Sequence, residues 1–379
     1  MIARHREECY INLNPLQTGG RTNAATRMVA AQYVDGYSVC DYCKGVLHLI
    51  EKPPICDLTR DLAEFLDMDE ARITLGAREG KFAVMHALLS PGDALVFDSN
   101  RHYTTHVAAE RAGAKIYEAA STGYPTFEIK PEAYRETIKQ VIKETGHPPK
   151  LAILTHVDGD YGNLAPAKAV GKICQEYEVP FLLNAAYSAG RMEVKGKSLG
   201  ADFLVCSGHK SFAVPGTIGI LTTTNKYKDI LFKKSGKHPV KDIELLGCTA
   251  RSAAVACLIT SLPYVKERVK RFDEEVEKAR WFVEKMESLG DITQLGTKPT
   301  EHDFVRLETP LLKQIGQSHR KRGYFLYHEL GKRGITGLKP GQTNWFKFST
   351  YGLTWDQVKY LFEAFCEIVN KDKELPHFG

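Results

Sequence analysis

From residue 71 to about residue 224 the chain alternates between short apolar runs and helix-like segments. ARITL (71–75) and ALVFD (94–98) are followed by KFAVMHALL and THVAAERAG. KIYEA, KLAILTHV and PFLLNAA alternate with PEAYRETIKQVIKETG and APAKAVGKICQEYE, and ADFLVCS and TIGILTTT close the series. Apolar runs without a polar alternation are strands buried on both faces. Strands spaced by helices assemble into a mainly parallel sheet with helices on each side. The expected class is therefore α/β, and in such sheets ligands bind beyond the carboxyl ends of the strands. The turns that follow the strands are where function should be sought.

The chain has 379 residues, enough for a large α/β domain and a smaller one. The texture changes after about residue 245. A long helical stretch from SAAVACLI to KARWFVEKMESLG, expected to break or kink near Pro263, precedes short strands and an amphipathic helix, WDQVKYLFEAFCEIVNK. The expected division is an N-terminal arm (1–45), a large domain (46–245) and a small C-terminal domain (246–379). No apolar run is long enough to cross a bilayer, and the charged start MIARHREECY has no apolar signal core, so a cytoplasmic protein is expected. Nine scattered cysteines, an odd number, argue for individually employed thiols in a reducing compartment. The net charge of +5 permits an anionic partner, and the basic residues clump in KYKDILFKKSGKH and SHRKRG.

The most informative stretch is ADFLVCSGHKSFAVPGTIGIL (201–221). A buried strand ends in Ser207, Gly208, His209 and Lys210 before a second strand begins. A lysine at the mouth of a sheet is partly desolvated, which lowers its pKa and makes it a Schiff-base nucleophile. Ser207 and His209 are candidate phosphate donors. Upstream, LGAREGKFAVMHALL reads as strand, tight turn and helix start, so the N–H groups of Ala77 and Arg78 suit a phosphate. His102 in SNRHYTTH sits at a strand-to-helix junction, placed to stack on a flat ring. Asn184 and Tyr187 in FLLNAAYSAGR stand at another strand end. Lysine, phosphate cradle, stacking imidazole and polar partner follow one another as a pyridoxal-phosphate site requires.

On these motifs, with INLNPLQTGGRT, VCDYCKG and THVDGDYGN, the chain resembles the fold type I pyridoxal-phosphate enzymes. Within them it is most similar to the Sep-tRNA:Cys-tRNA synthase family, which makes cysteinyl-tRNA from O-phosphoseryl-tRNA. The resemblance implies a large domain with a mainly parallel sheet, a smaller C-terminal α/β domain, and a homodimer with residues from both subunits in each site. It implies pyridoxal 5′-phosphate on Lys210, phosphoseryl-tRNA(Cys) as substrate, a separate sulfur donor, and an association with the phosphoseryl-tRNA synthetase. Lys210 would remove the Cα proton and return it, and Arg78 would receive the departing phosphate. Related enzymes carry an Arg for the substrate α-carboxylate where WFKFSTYGLT has Lys347. An ester-linked aminoacyl group has no carboxylate to hold there. Asn184 stands where an Asp often faces the ring nitrogen, which makes Asp158 a second candidate for that contact.

CxxC pairs serve metal binding, redox chemistry and sulfur transfer alike. By the resemblance, Cys40, Cys43 and Cys248 form the sulfur-handling set, carrying a persulfide and leaving open an iron–sulfur cluster on the same thiols. A zinc reading uses Cys40, Cys43, His48 and Cys56, though no metal is the expectation. The remaining cysteines read as packing residues. Two rivals stay in view: a desulfurase or selenocysteine-lyase-like enzyme acting on a free amino acid, and a non-catalytic tRNA-binding or metal scaffold.

Overall fold

The computed structural model of the chain describes residues 10–35, 55–239, 241–246 and 252–374. Twelve strands occur among them: β1 (Ile11–Asn12), β2 (Glu70–Thr74), β3 (Ala94–Asp98), β4 (Lys115–Ala119), β5 (Leu151–Thr155), β6 (Phe181–Asn184), β7 (Phe203–Ser207), β8 (Gly219–Thr223), β9 (Thr293–Leu295), β10 (Phe304–Glu308), β11 (Ile335–Thr336) and β12 (Trp345–Ser349). Seven form one sheet in the order β2-β8-β7-β6-β5-β3-β4. β4, β3, β5, β6 and β7 pair in parallel, while β8 runs antiparallel to both β7 and β2.

The apolar runs explain this layering. β3, β5, β6 and β7 are buried throughout, and their residues alternate between two cores. Val96, Leu154, Leu183, Leu204 and Ile220 join one core. Phe97, Ile153, Leu182, Phe203 and Leu221 join the other, against the helices Ala77–Leu88 and Tyr103–Arg111. Edge strand β4 has exposed Lys115 and Glu118, as its mixed sequence anticipates. β7 and β8 are joined by residues 208–218 without a helix, a connection that favours the antiparallel pairing observed.

Strand order fixes where the site lies. From β3 the chain moves outward to β4, whereas from β5 it moves the other way through β6 to β7. The carboxyl ends of β3 and β5 therefore flank the point where the winding reverses, the crevice expected to hold a ligand.

The second layer differs in detail from the sequence expectation. The helix Ser252–Arg268 runs through Pro263, and the interruption comes later, at the 3-10 turn Val269–Arg271 before the helix Phe272–Glu287. Val255, Leu258, Leu262 and Val265 pack in the large core, so that core extends past residue 246. A separate core joins Ala279, Phe282, Val305, Phe348 and Phe365 with Ile11 and Leu13. The arm is thus tied in at its base: β1 pairs in parallel with β11, and the N–H of Ser349 donates to the carbonyl of Leu13 at 2.9 Å. The amphipathic C-terminal segment forms the helix Trp355–Glu374 as expected.

Candidate active site

A cavity of about 410 Å³ opens at the carboxyl ends of β3, β5, β6 and β7. The turn after β7 brings Lys210 to it, with Nζ 4.0 Å from the centre of the Tyr187 ring. Burial, with the nearby Arg191 guanidinium adding to it, lowers the Lys210 pKa to about 8. A cation over a π face loses less on leaving water than one facing aliphatic groups.

The opposite wall is the start of the helix Ala77–Leu88. Its N-cap is Gly76, with φ of +138°, and no side chain caps the helix. An L residue is strained at that φ, and the close approach of this backbone also requires glycine at position 219, where a Cβ would lie 2.4 Å from Gly76. The first-turn N–H groups have no partner within the helix; that of Ala77 lies 3.4 Å from Ser207 Oγ. Together they form an anion cradle. Arg78 is exposed at the rim, and its guanidinium carbon lies 5.6 Å from the Phe82 ring centre.

His102 is the N-cap of the helix Tyr103–Arg111 and lines the cavity. Burial first, then Lys81 and Lys210, lower its pKa to about 4, so the imidazole is neutral at physiological pH. Asn184 comes from β6 with its Oδ1 buried and without a hydrogen bond. Such orphaned polar atoms are costly unless a ligand completes them.

Ala77, Arg78, His102, Asn184, Ser207, His209 and Lys210 thus meet around one cavity. Three sequence expectations change. Gly208 is absent from the lining; a Cβ there would come 2.6 Å from Ile218 Cγ2, so it lets the turn cross β8. His209 Nδ1 lies 3.1 Å from the Ile218 carbonyl, to which it must donate, so the neutral ring has no second N–H for a phosphate. Asp158 accepts from the N–H groups of Asp160, Tyr161 and Asn163 at 2.8, 2.6 and 3.0 Å. Its carboxylate organises that loop and does not line the cavity. Lys347 is engaged by Asp160 Oδ1 at 2.5 Å and the Gly159 carbonyl at 2.7 Å. Cys40, Cys43, Cys248 and His48 lie outside the described residues. Among the described residues no cluster of potential ligands could hold a metal.

Sequence reasoning missed Lys81 and Arg191. Lys81 is buried in the cavity wall, its pKa brought to about 7 by burial, with Lys210 adding to the shift. Its signal was a lysine three and four positions after Arg78 and Ala77, on the helix face that those residues turn to the cavity. Arg78, Lys81 and Lys210 line the cavity, and no carboxylate among the described residues does.

A profile described as O-phosphoseryl-tRNA(Sec) selenium transferase, SepSecS, matches residues 90–370. The O-phospho-L-seryl-tRNA:Cys-tRNA synthase of Methanothermobacter thermautotrophicus is 51% identical over 372 residues, covering 98% of each chain. The chain belongs to the O-phospho-L-seryl-tRNA:Cys-tRNA synthase family. A crystal structure of a SepCysS–SepCysE N-terminal domain complex contains a chain with 48% identity and a TM-score of 0.91, over 98% of this chain and 97% of that one. A cysteine desulfurase from Thermococcus onnurineus matches over 98% of this chain and 99% of its own, with a TM-score of 0.76 at 18% identity. The family therefore has the fold type I architecture of the pyridoxal-phosphate enzymes, as the sequence led us to expect.

The exposed guanidinium at the rim makes a specific test within this family. Arg78→Ala is expected to keep bound cofactor while turnover of phosphoseryl-tRNA falls by about 10–100-fold, the loss of one charge-assisted contact. Absorbance of the purified variant, read beside its rate, checks this; cofactor loss would assign Arg78 to the cofactor phosphate instead.

Proposed function

We propose that this chain converts O-phosphoseryl-tRNA(Cys) to cysteinyl-tRNA(Cys), eliminating phosphate from Cβ and adding sulfur in its place. The observation that carries the reading is the cavity in which Arg78, Lys81 and Lys210 converge without a carboxylate among the described residues. It suits two phosphates, one on the cofactor and one on the substrate. The matching profile is named for selenium transfer and the relatives for cysteine, and both names share O-phosphoseryl-tRNA as the acceptor.

The residues fit pyridoxal phosphate. The N–H groups of Ala77 and Arg78, with Ser207, cradle its phosphate. Asn184 supplies a buried polar atom that lacks a partner, and Lys210 supplies the amine. Pyridoxal phosphate, when bound, provides an electron sink for the pair released at Cα. Lys210 takes the Cα proton and later returns it, a task suited to an amine whose pKa is near 8. Arg78 draws off the phosphate as the Cβ–O bond breaks. Asn184, an amide, brings no charge to hold a proton on the ring nitrogen. Tyr187 covers the Lys210 ammonium and keeps water from it.

Cys40, Cys43 and Cys248 carry the sulfur as a persulfide whose outer sulfur attacks Cβ; a thiol reductant then cleaves the S–S bond so formed, releasing cysteinyl-tRNA and the carrier thiol, and the same thiols are the place to look for an iron–sulfur cluster. The enzyme works as a cytoplasmic homodimer, with the phosphoseryl-tRNA synthetase as a further partner. None of the described helices is long and apolar enough to cross a membrane. A desulfurase acting on free cysteine is disfavoured because neither cysteine in the C-terminal third lies on a loop: Cys257 is buried in the helix Ser252–Arg268, and Cys366 is the other. It lies on the helix Trp355–Glu374, and burial raises its thiol pKa.

The test separates the half-reactions. Cys40→Ser and Cys43→Ser are expected to release phosphate from phosphoseryl-tRNA at near the parent rate and to form essentially no cysteinyl-tRNA. Elimination needs the amine and the electron sink, whereas sulfur addition needs a thiol that serine cannot imitate. Loss of both activities together with a lowered melting temperature would make the pair a structural metal site instead.

A further inference from the structure

Lys81 makes no ion pair among the described residues, although it is buried in a cavity wall. Its Nζ lies 2.5 Å from Thr104 Oγ1 and 3.1 Å from Thr105 Oγ1. Thr104 Oγ1 is in turn 2.8 Å from His102 Nδ1, and the backbone N–H of Thr104 reaches the same nitrogen at 3.3 Å. These contacts determine where the protons are. The lysine has N–H groups to donate in either charge state, so the Thr104 oxygen accepts from it. A hydroxyl carries one hydrogen, and the remaining neighbour in line with it is His102 Nδ1. Two donors then converge on Nδ1, which must be the unprotonated nitrogen. The ring proton resides on Nε2, which makes no hydrogen bond to the described residues.

We propose that Lys81 is a positioning residue: through Thr104 it holds His102 in the neutral tautomer protonated on Nε2, so that the imidazole offers the cavity a donor and not a base. The charged groups facing His102 support the neutral form. Lys81 and Arg78 on the helix Ala77–Leu88 and Lys210 after β7 all disfavour imidazolium, and Asp160 in the loop after β5 opposes them. An N–H aimed at an anion in the cavity adds to the attraction supplied by Arg78 and Lys210. A basic nitrogen there would repel the anion or compete with Lys210 for the Cα proton. The tautomer follows from the chain's own hydrogen bonds; the use made of the Nε2 proton rests on the proposed reaction.

The experiment is histidine-selective ¹⁵N and ¹³C NMR on the full chain, both loaded with pyridoxal phosphate and stripped of it, with His102→Gln supplying the assignment. The parent is expected to show His102 as the Nε2–H tautomer, without titration down to about pH 5. Lys81→Met frees the Thr104 hydroxyl to accept from Nδ1–H, so a mixture of tautomers and a midpoint raised by about one unit or more are expected. Thr104→Val breaks the relay while keeping the cation, so the mixture is expected with a smaller change in midpoint. Both replacements keep the side-chain volume close to the parent's. An Nδ1–H tautomer in the parent overturns the proposal, as does a parent-like tautomer in either variant; a raised midpoint alone would leave only the charge of Lys81. Because the stripped protein gives the same readout, failure of the cofactor assignment would leave this result standing.

Discussion

Lys210→Ala is expected to lose the covalent bond to pyridoxal phosphate and to lower turnover by about 10²–10⁴-fold or more, the contribution of a positioned proton carrier. The fold should survive, because the lysine sits in a turn between β7 and β8 and its amine makes no hydrogen bond to the described residues. Borohydride reduction followed by peptide mapping reads the result: pyridoxyl label on Lys210 in the parent and none in the variant. The informative rival is Lys81, which shares the cavity and has a pKa near 7. Its amine is already engaged by Thr104 and Thr105, whereas that of Lys210 faces the Tyr187 ring and makes no hydrogen bond among the described residues. Label on Lys81 would sink the assignment of roles.

Arg191 carries the second large expectation, and it concerns stability. Its guanidinium is fully buried and pairs with Asp303 Oδ2 at 2.5 Å. It also donates to Ser211 at 3.1 Å, to Thr18 at 3.3 Å, to Ser349 at 3.4 Å and to the carbonyl of Pro15. Arg191→Met would leave the Asp303 carboxylate buried, with Ser349 still donating to it but its counter-charge gone. Stranding a buried charge in this way costs about 3–5 kcal/mol. A melting midpoint lowered by several degrees is expected, and adding Asp303→Asn to the same chain should recover part of the loss. If the single variant melts with the parent, the five contacts do not act as one unit.

The sheet was legible because its strands are nearly continuous apolar runs. ALVFD and LAILT have no polar alternation to confuse the period, and helices between them leave one topology open. The position of the helical break was not legible. Pro263 is the strongest local breaker, yet Leu258, Leu262 and Val265 bury one continuous face across it. Tertiary packing therefore outweighs the lost N–H. Site residues on strand ends were found because turn chemistry marks them. Lys81 and Arg191 were missed for a shared reason: a buried cation is indistinguishable in sequence from a solvated one until its acceptors are known. Arg191 draws its acceptors from the arm, the turn after Lys210, the residue before β10 and the end of β12, which no local pattern connects. Asp158 and His209 erred in the opposite direction. Each has the right chemistry at the right strand end, but the backbone takes up its hydrogen bonds.

The seam between β1 and β11 bears on how the chain matures. Ile11 pairs with Ile335, and Thr18 donates to Ser349 across 331 positions of sequence at 3.0 Å. Contacts of such separation are slow to form, because most of the chain must be ordered before they contribute. During synthesis the sheet from β2 to β8 has all its strands while β12 has yet to leave the ribosome. Ser349 and Asp303 reach Arg191 only afterwards, and Arg191 is bonded to Ser211, the neighbour of Lys210. The amine is therefore made early and locked late. A nascent chain stalled before β12 would hold an assembled sheet in which Arg191 lacks its Ser349 contact, and full cofactor capture should come with the closing step of its folding.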